Sequence, residues 1–281
     1  MILQKNPELL KLGGETKRIS IMFSDIRGFT PISEQYKTNP QGLTTLINRF
    51  LTPMTDLIMS RDGTIDKYMG DCIMAFWNAP VNIESHEREA VESALRMVER
   101  LKELNDELES EGLMPINIGI GINTGECVVG NMGSDKRFDY SVLGDAANLA
   151  SRLEGQSKGY GVTIILGEET ATAVENDLFN IELDNIAVKG KKDSVRIFTV
   201  LGNNDWVFHN TNWYGLQQQH DKFLYLYRAQ KWMVAEKFAN DLRDAWPEMS
   251  DYYDIMLRRI GEYKDNPPGE DWDGVYRATT K

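Results

Sequence analysis

Two acidic residues stand where the sequence predicts that strands end. Asp25 follows the alternating apolar stretch 19–24 and takes the direction of its apolar face. Asp71 lies at the predicted turn between two short apolar segments, 64–69 and 72–77, which are typical of a β-hairpin. If these strands are neighbours, two carboxylates meet at one edge of a sheet and repel each other unless cations bind there.

The chemistry that such a pair permits is metal-assisted phosphate chemistry. Mg²⁺ prefers a few carboxylate oxygens together with substrate phosphates, and two-metal sites use this arrangement for in-line displacement. A structural interpretation is also open, in which Asp25 caps the following helix and Asp71 is a favoured turn residue. Periodicity alone does not decide between these two interpretations.

The elements that must position these acids follow from hydrophobic periodicity. Helical spacing predicts two long helices, and a third opens at Gly144-Asp145. Alternation predicts further strands over 116–123 and 126–131, joined by a hairpin at Thr124-Gly125. The order strand, helix, hairpin, helix, hairpin, helix predicts an α+β fold built on a ferredoxin-like sheet. The two long helices are expected over 40–61 and 86–111.

Composition divides the chain into three predicted regions. Residues 1–16 are interpreted as a linker, and residues 17–202 as one α+β domain. After residue 202 the composition shifts toward Trp, Tyr and Gln, so 203–281 is expected to be a small helical extension. Its spacing resembles a single tetratricopeptide hairpin, although repeats are recognised by recurrence and no second copy is found.

Overall charge and composition exclude several classes of function. The 281 residues carry a formal charge of −12, which argues against nucleic acid as the main partner. The two cysteines and three histidines show no close metal-ligand spacing and no disulfide framework, so a reducing compartment is expected. No run approaches the roughly 20 apolar residues of a membrane span, and we expect a soluble chain.

Four motifs stand in a fixed order along the chain. They are Phe-Ser-Asp-Ile-Arg-Gly-Phe-Thr at 23–30, Asp-Lys-Tyr-Met-Gly-Asp-Cys-Ile-Met-Ala-Phe at 66–76, Gly-Ile-Asn-Thr-Gly-Glu-Cys-Val-Val-Gly-Asn-Met-Gly at 121–133 and Tyr-Ser-Val-Leu-Gly-Asp-Ala-Ala-Asn-Leu-Ala-Ser-Arg-Leu-Glu at 140–154. Together they resemble the class III nucleotidyl cyclases. The resemblance implies the ferredoxin-like βαββαβ core of that family and a homodimer with two interfacial sites. It also implies an adenylyl cyclase that converts ATP to 3′,5′-cyclic AMP and pyrophosphate.

The same resemblance assigns a metal and catalytic set. Asp25 and Asp71, with the carbonyl of Ile26, are expected to hold two Mg²⁺ or Mn²⁺ ions per site. Asn148 and Arg152 lie four residues apart, on one face of the predicted helix. One of them is expected to orient the ribose and the other to stabilise charge at the α-phosphate. Without the motif, both would be interpreted as a solvated helix face.

Substrate contacts are implied at four further positions. Lys67 can donate to adenine N1, and guanylyl cyclases of this family usually carry Glu there, so Lys67 indicates ATP. Ser141 departs from the more usual Asp or Thr of adenylyl cyclases but keeps a hydroxyl. Lys189 matches the family's triphosphate-binding lysine, and Arg137 is a second basic candidate. A structural interpretation is open for each of them: a cross-strand ion pair for Lys67, a strand-end hydrogen bond for Ser141, and a solvated loop charge for Lys189 and Arg137.

Two alternative functions stay open. One is a guanylyl or mixed-purine cyclase, and the other is a catalytically silent dimeric sensor module. The joint presence of Asp25, Asp71, Asn148 and Arg152 argues against the silent module, because degeneration tends to remove one of them. A cytoplasmic location is expected, either alone or as the cytoplasmic part of a membrane-anchored receptor whose sensor region lies upstream.

Overall fold

The computed structural model describes residues 12–134, 136–187, 194–210 and 212–277. Their contacts divide the chain into two compact units, one formed by residues up to Glu154 and the other by residues from Gly155 onward. Within these described ranges, no helix combines the length and apolar character needed to cross a membrane.

The described residues of the first unit form five strands and four helices. Its strands are β1 (Gly13–Ile26), β2 (Thr64–Met69), β3 (Cys72–Trp77), β4 (Ile118–Ser134) and β5 (Arg137–Leu143). Its helices are α1 (Phe29–Gln35), α2 (Pro40–Ser60), α3 (His86–Ser110) and α4 (Asp145–Gln156), of which α4 ends just past the division between the units. The predicted 64–69 and 72–77 hairpin and the two long helices are therefore present.

The sheet of this unit has the order β2-β3-β1-β4-β5, and each neighbouring pair is antiparallel. Helix α2 lies in the connection from β1 to β2 and α3 in the connection from β3 to β4, and both pack against the sheet. Strands β1 to β4 thus form the βαββαβ arrangement of a ferredoxin-like fold. The α+β prediction is confirmed.

Local sequence explains where α2 begins and which face it buries. The side chain of Asn39 accepts a hydrogen bond from Gly42 N at 3.0 Å, and Pro40 occupies the first turn, where its missing N–H costs nothing. The buried residues of α2 recur every four positions along one stripe, which faces the interior. These residues are Leu46, Phe50, Met54 and Ile58.

The predicted hairpin at Thr124-Gly125 is wrong. Strand β4 runs without interruption and pairs along the whole of β1, with Ile19 opposite Gly125. A Cβ at Gly125 would lie 2.9 Å from the Cβ of Ala146, so the missing side chain makes room for α4 and does not form a turn. The chain reverses instead between β4 and β5, and the sequence analysis missed β5 as a strand.

In the second unit, the part of the chain that the structure describes forms three strands and, after them, the helical extension. It comprises β6 (Ile164–Gly167), α5 (Glu168–Val174), β7 (Phe179–Ala187), β8 (Ser194–Gly202), α6 (Asn204–His209), α7 (Trp213–Arg228), α8 (Trp232–Ala245) and α9 (Ser250–Asp265). Strand β8 pairs antiparallel with both β6 and β7. Helices α7, α8 and α9 pack consecutively against one another. The expected helical extension is therefore present, in the same compact unit as these strands.

Polar contacts attach the extension to β7. Arg259 of α9 forms a buried ion pair with Asp184, whose side chain is fully buried. The hydroxyl of Tyr252 donates to the carbonyl of Leu183 at 2.8 Å, and His220 Nε2 lies 2.6 Å from the carbonyl oxygen of Glu182. Because these contacts satisfy buried polar groups on both sides, α7 and α9 are integral to this unit.

Candidate active site

The two predicted metal ligands lie at neighbouring strand ends. Strands β1 and β3 pair with Ser24 opposite Ile73, which places Asp25 beside the β2–β3 turn that carries Asp71. Alternation along β1 explains the direction of Asp25, because Ile19, Ile21 and Phe23 share one core cluster on that face. The structure therefore brings the two carboxyl groups together at one edge of the sheet.

The electrostatics of this pair favour a bound cation. Burial raises the pKa of Asp71 to about 6, and a side-chain hydrogen bond to Asp25 and the charge of Asp25 add to the effect. Asp71 Oδ2 is buried without a hydrogen-bond partner among the described residues, while Asp25 Oδ1 accepts from Ile26 N at 3.1 Å. A divalent cation would relieve both the repulsion and the unsatisfied oxygen, so the residues fit the expected metal.

Protein ligands alone do not complete such a site. Within the described ranges, no group of three or more His, Cys, Asp or Glu side chains is arranged to hold a metal ion. Cys72 follows Asp71, but burial and the nearby carboxylates raise the pKa of its thiol to about 12, so it stays protonated. Two carboxylates without a third His, Cys, Asp or Glu ligand among the described residues suit a cation that also binds substrate phosphates.

A third carboxyl group, Glu154, approaches the pair and was missed as a site residue. It stands at the end of α4, and burial raises its pKa to about 7, with Asp25 and Asp71 adding to the rise and Arg27 opposing it. Gly121 of β4 permits this approach, because a Cβ there would lie 2.2 Å from Glu154 N and 2.3 Å from Ala150 O. The sequence signal was its place as the last residue of the 140–154 motif.

The two predicted base-binding residues are joined through a residue that the sequence analysis did not single out. Ser141 of β5 donates a hydrogen bond from Oγ to Asp66 Oδ2 at 2.7 Å. Lys67 Nζ lies 3.3 Å from Asp66 Oδ1 in an ion pair. Lys67 and Ser141, 74 positions apart in the sequence, therefore flank one buried carboxylate.

Helix α4 presents Asn148 and Arg152 on one face. Asn148 is exposed, and Arg152 is half-buried with its Nη1 atom lacking a hydrogen-bond partner among the described residues. Arg152 precedes Glu154 by two residues, which is a rotation of about 200° around a helix. Since Glu154 is on the side of the aspartate pair, helix geometry places Arg152 on the opposite face of α4.

Comparison with known proteins identifies the family. Residues 13–202 match the model of the adenylate and guanylate cyclase catalytic domain. The chain belongs to this family. The match begins where β1 begins, four residues before the predicted domain start at 17, and ends with β8.

Two named relatives of this cyclase domain are adenylate cyclases. Adenylate cyclase 1 of Rhizobium meliloti is 31% identical over 72% of this chain and 30% of its own length. Adenylate cyclase of Anabaena cylindrica is 35% identical over 71% of this chain and 40% of its own length. The chain thus spans less than half the length of these two relatives.

Solved structures agree with the fold. The adenylyl cyclase CyaB of P. aeruginosa superposes with a TM-score of 0.64 at 36% identity, covering 69% of this chain and 98% of that chain. The guanylyl cyclase Cya2 superposes with a TM-score of 0.62 at 37% identity, covering 69% and 96%. Because an adenylyl and a guanylyl cyclase are equally similar, overall similarity does not select the purine.

Of the two remaining predicted residues of the cyclase domain, Arg137 is described by the structure and Lys189 is not. Arg137 begins β5 and is exposed, four residues before Ser141 on the same strand. Lys189 falls outside the described residues, so its predicted contact with triphosphate stays a prediction. Near the candidate site, Asp66 and Glu154 are acids that the sequence analysis did not single out.

Proposed function

We propose that this chain is the catalytic domain of an adenylyl cyclase that forms 3′,5′-cyclic AMP and pyrophosphate from ATP. The observation that supports this most directly is the pair Asp25 and Asp71, with a buried unsatisfied oxygen, at one sheet edge of a cyclase domain. The family assignment narrows the reaction to cyclisation of a nucleoside triphosphate. The choice of ATP rests on Lys67 and Ser141.

Two Mg²⁺ or Mn²⁺ ions are proposed to bind Asp25, Asp71 and the carbonyl of Ile26. When bound, they would supply Lewis-acid chemistry that lowers the pKa of the ribose 3′-hydroxyl and neutralises phosphate charge. The carboxylates of Asp25 and Asp71 would hold the positive charge of these ions at the end of β1. The fixed backbone at the end of β1 orients Asp25 through its hydrogen bond with Ile26 N.

The other residues are proposed to position the substrate. In the reaction, the ribose 3′-hydroxyl releases its proton to solvent and its oxygen forms a bond to the α-phosphorus, while the bond from that phosphorus to the bridging oxygen breaks and pyrophosphate leaves with the electron pair. Arg152, whose Nη1 has no hydrogen-bond partner among the described residues, is proposed to stabilise the charge that develops on the α-phosphate oxygens. Asn148, one turn earlier on α4, is proposed to orient the ribose.

A homodimer with shared sites is proposed from the similarity to the cyclase family. Lys67 and Asp71 lie four residues apart, roughly 13 Å along an extended strand, so one chain could in principle supply both ends of an ATP site. Glu154 lies beside the aspartates, and helix geometry places Arg152 on the opposite face of α4. In a two-fold dimer, Asp25 and Asp71 of one chain would therefore meet Lys67, Ser141, Asn148, Arg152 and Lys189 of the other.

A guanylyl cyclase is the second candidate, because the guanylyl cyclase Cya2 is 37% identical to this chain. Product analysis separates the two functions. The purified chain is incubated with ATP or GTP, with and without Mn²⁺, and cyclic nucleotides are quantified by chromatography. We expect cyclic AMP to exceed cyclic GMP, and a metal requirement for both. Predominant cyclic GMP would support the second candidate, and no cyclic product under any condition would contradict both.

A further inference from the structure

Asp66 occupies an irregular position in β2. Strand β2 pairs with β3 through Ile65 opposite Ala75 and Lys67 opposite Met74, so Asp66 is an extra residue in the ladder. In a regular strand, Asp66 and Lys67 would point to opposite faces. A bulge redirects side chains, and here it lets the two neighbours form an ion pair.

The buried carboxylate of Asp66 decides where the hydrogen of Ser141 points. The side chain of Asp66 has no exposed area, and its Oδ2 accepts the hydrogen bond from Ser141 Oγ at 2.7 Å. A carboxylate in an ion pair with Lys67 has no hydrogen to donate, and a serine hydroxyl has a single hydrogen. Ser141 therefore presents only lone pairs to any further partner.

Lys67 keeps donors for a ligand in the same arrangement. Asp66 Oδ1, the oxygen nearer to Lys67 Nζ, makes no hydrogen bond with the described residues. An ammonium has three hydrogens, so the ion pair orients Lys67 without using all of them. The pair thus presents one donor, Lys67, beside one acceptor, Ser141.

This polarity matches one class of purine, if the proposed base contacts are correct. Adenine offers an acceptor at N1 and an amino donor at C6, whereas 6-oxopurines offer a donor at N1 and an acceptor at C6. A carbonyl oxygen facing Ser141 Oγ would bring two acceptors together, with no hydrogen between them. We propose that Asp66 is a specificity-determining positioning residue, which makes Ser141 an obligate acceptor and so selects 6-aminopurine triphosphates.

The first test replaces Ser141 with alanine and measures kcat/KM for ATP and for inosine triphosphate. Inosine triphosphate has the 6-oxo group of guanine without its 2-amino group. If Ser141 only accepts, its loss lowers kcat/KM for ATP about tenfold and leaves that for inosine triphosphate unchanged or higher. A fall for inosine triphosphate that equals or exceeds the fall for ATP would overturn the proposal.

The second test replaces Asp66 with asparagine, whose amide can donate to Ser141 Oγ and release the hydroxyl hydrogen toward the base. The ratio of kcat/KM for ATP to that for inosine triphosphate should fall about tenfold. In a Ser141→Ala background the same substitution should change the ratio less than twofold. If Asp66 has only a structural role, Asp66→Asn should lower kcat/KM for ATP and for inosine triphosphate by the same factor. An unchanged ratio in an active Asp66→Asn variant would therefore also overturn the proposal.

Controls separate this inference from the proposed function. Asp62→Asn makes the same chemical change at an exposed turn residue of positive φ, which asparagine tolerates, and should leave the ratio unchanged. A wild-type chain that forms no cyclic product contradicts the proposed function itself. A wild-type chain that cyclises both triphosphates equally well contradicts only the role of Asp66. If Asp66→Asn does not fold, the Ser141→Ala result decides alone.

Discussion

At the scale of single residues, the paired carboxylates define what the site needs from its ligand. Asp71 has a buried oxygen without a partner in the described structure and a neighbouring carboxyl group that repels it when both are ionised. Two ionised carboxylates held this close destabilise the fold in the absence of a cation. A bound cation removes that repulsion, and the free energy of cation binding becomes more favourable by the same amount. Stability and activity should therefore both report metal binding at this position.

Asp71→Asn tests this link. We expect the variant to retain its fold but to lose at least about a hundredfold in cyclase turnover, because one metal ligand is gone. In thermal denaturation, Mg²⁺ with a non-cyclisable ATP analogue should raise the Tm of the wild-type chain and not that of the variant. Asp62→Asn is the control and should respond as the wild type does. Normal turnover in Asp71→Asn would contradict the metal assignment.

Sequence reasoning reached some of these residues and not others for a physical reason. Asp25 and Asp71 were predictable because strand alternation and a two-residue turn fix their directions. Asp66 was not, because the same alternation directs it away from Lys67, and the bulge that reverses this leaves no pattern in the sequence. Glu154 required the position of α4 on β4, which depends on close backbone contact.

At the scale of elements, glycines of β4 determine how closely α4 approaches the sheet. The sequence analysis interpreted Gly125 as a turn residue, which is the common local meaning of glycine. In the structure, Gly121 and Gly125 lie within a continuous strand under α4. The role that the sequence analysis missed is the close packing of α4 against β4. Local residue propensity does not predict such packing between two elements.

Gly121→Ala should displace α4 and with it Asn148, Arg152 and Glu154. The new Cβ would lie 2.2 Å from Glu154 N and 2.3 Å from Ala150 O, and both are backbone atoms that cannot rotate away. We expect a loss of about 1–3 kcal/mol in the free energy of unfolding and a marked loss of turnover. The control Gly155→Ala, which meets nothing within 4 Å, should keep wild-type stability or gain slightly. If Gly121→Ala and Gly155→Ala show the same free energy of unfolding and the same turnover, Gly121 does not control the position of α4.

Helix α7 carries a second element-scale feature, the fully buried His220. Its Nε2 lies 2.6 Å from the carbonyl of Glu182 and must donate, so the neutral ring accepts at Nδ1 from Tyr253 Oη, 2.9 Å away. Burial lowers the pKa of His220 to about 4, with Arg228 contributing and Glu182 opposing. The contact between α7 and β7 therefore requires the uncharged ring.

The sign of the pH dependence follows from this shift. Between pH 4 and the ordinary histidine pKa near 6.5, the unfolded state binds a proton at His220 that the folded state does not, so the contribution of His220 to stability falls as the pH falls. Complete protonation of this ring in the unfolded state lowers the free energy of unfolding by about 3 kcal/mol. Asp71 and Glu154, whose pKa values are raised, contribute a slope of the opposite sign. His220→Gln should therefore make the slope of unfolding free energy against pH more negative in this window, measured by urea denaturation. His209→Gln, at an exposed histidine, should keep the wild-type slope, and an unchanged slope in His220→Gln would contradict the assignment.

At the scale of the whole molecule, the question is how one chain completes its site. The cyclase domain places the aspartates beside Glu154, while Arg152 is directed to the opposite side of α4. Lys67 of β2 lies four residues from Asp71, and Ser141 of β5 is tied to Lys67 through Asp66. In the proposed arrangement each chain presents two incomplete halves, and a two-fold dimer would complete both.

Mixing two inactive variants tests this arrangement. An Asp71→Asn chain and an Arg152→Ala chain should each be nearly inactive, since every site of either homodimer lacks one group. After exchange at equal concentration, about half of the dimers are heterodimers, and each has one site with all wild-type groups. Cyclase activity should therefore recover to roughly a quarter of the wild-type value.

The matched control uses two variants of the same half. Asp71→Asn mixed with Asp25→Asn should recover nothing, because every composite site then lacks one metal ligand whichever chains combine. Heterodimer formation in both mixtures is verified by native mass spectrometry. Recovery confined to the first mixture supports shared sites, since only there do the intact groups come from different chains. If heterodimers form in the first mixture and activity does not return, the catalytic groups must meet within one chain, and Arg152 must reach the aspartates by a rearrangement of α4.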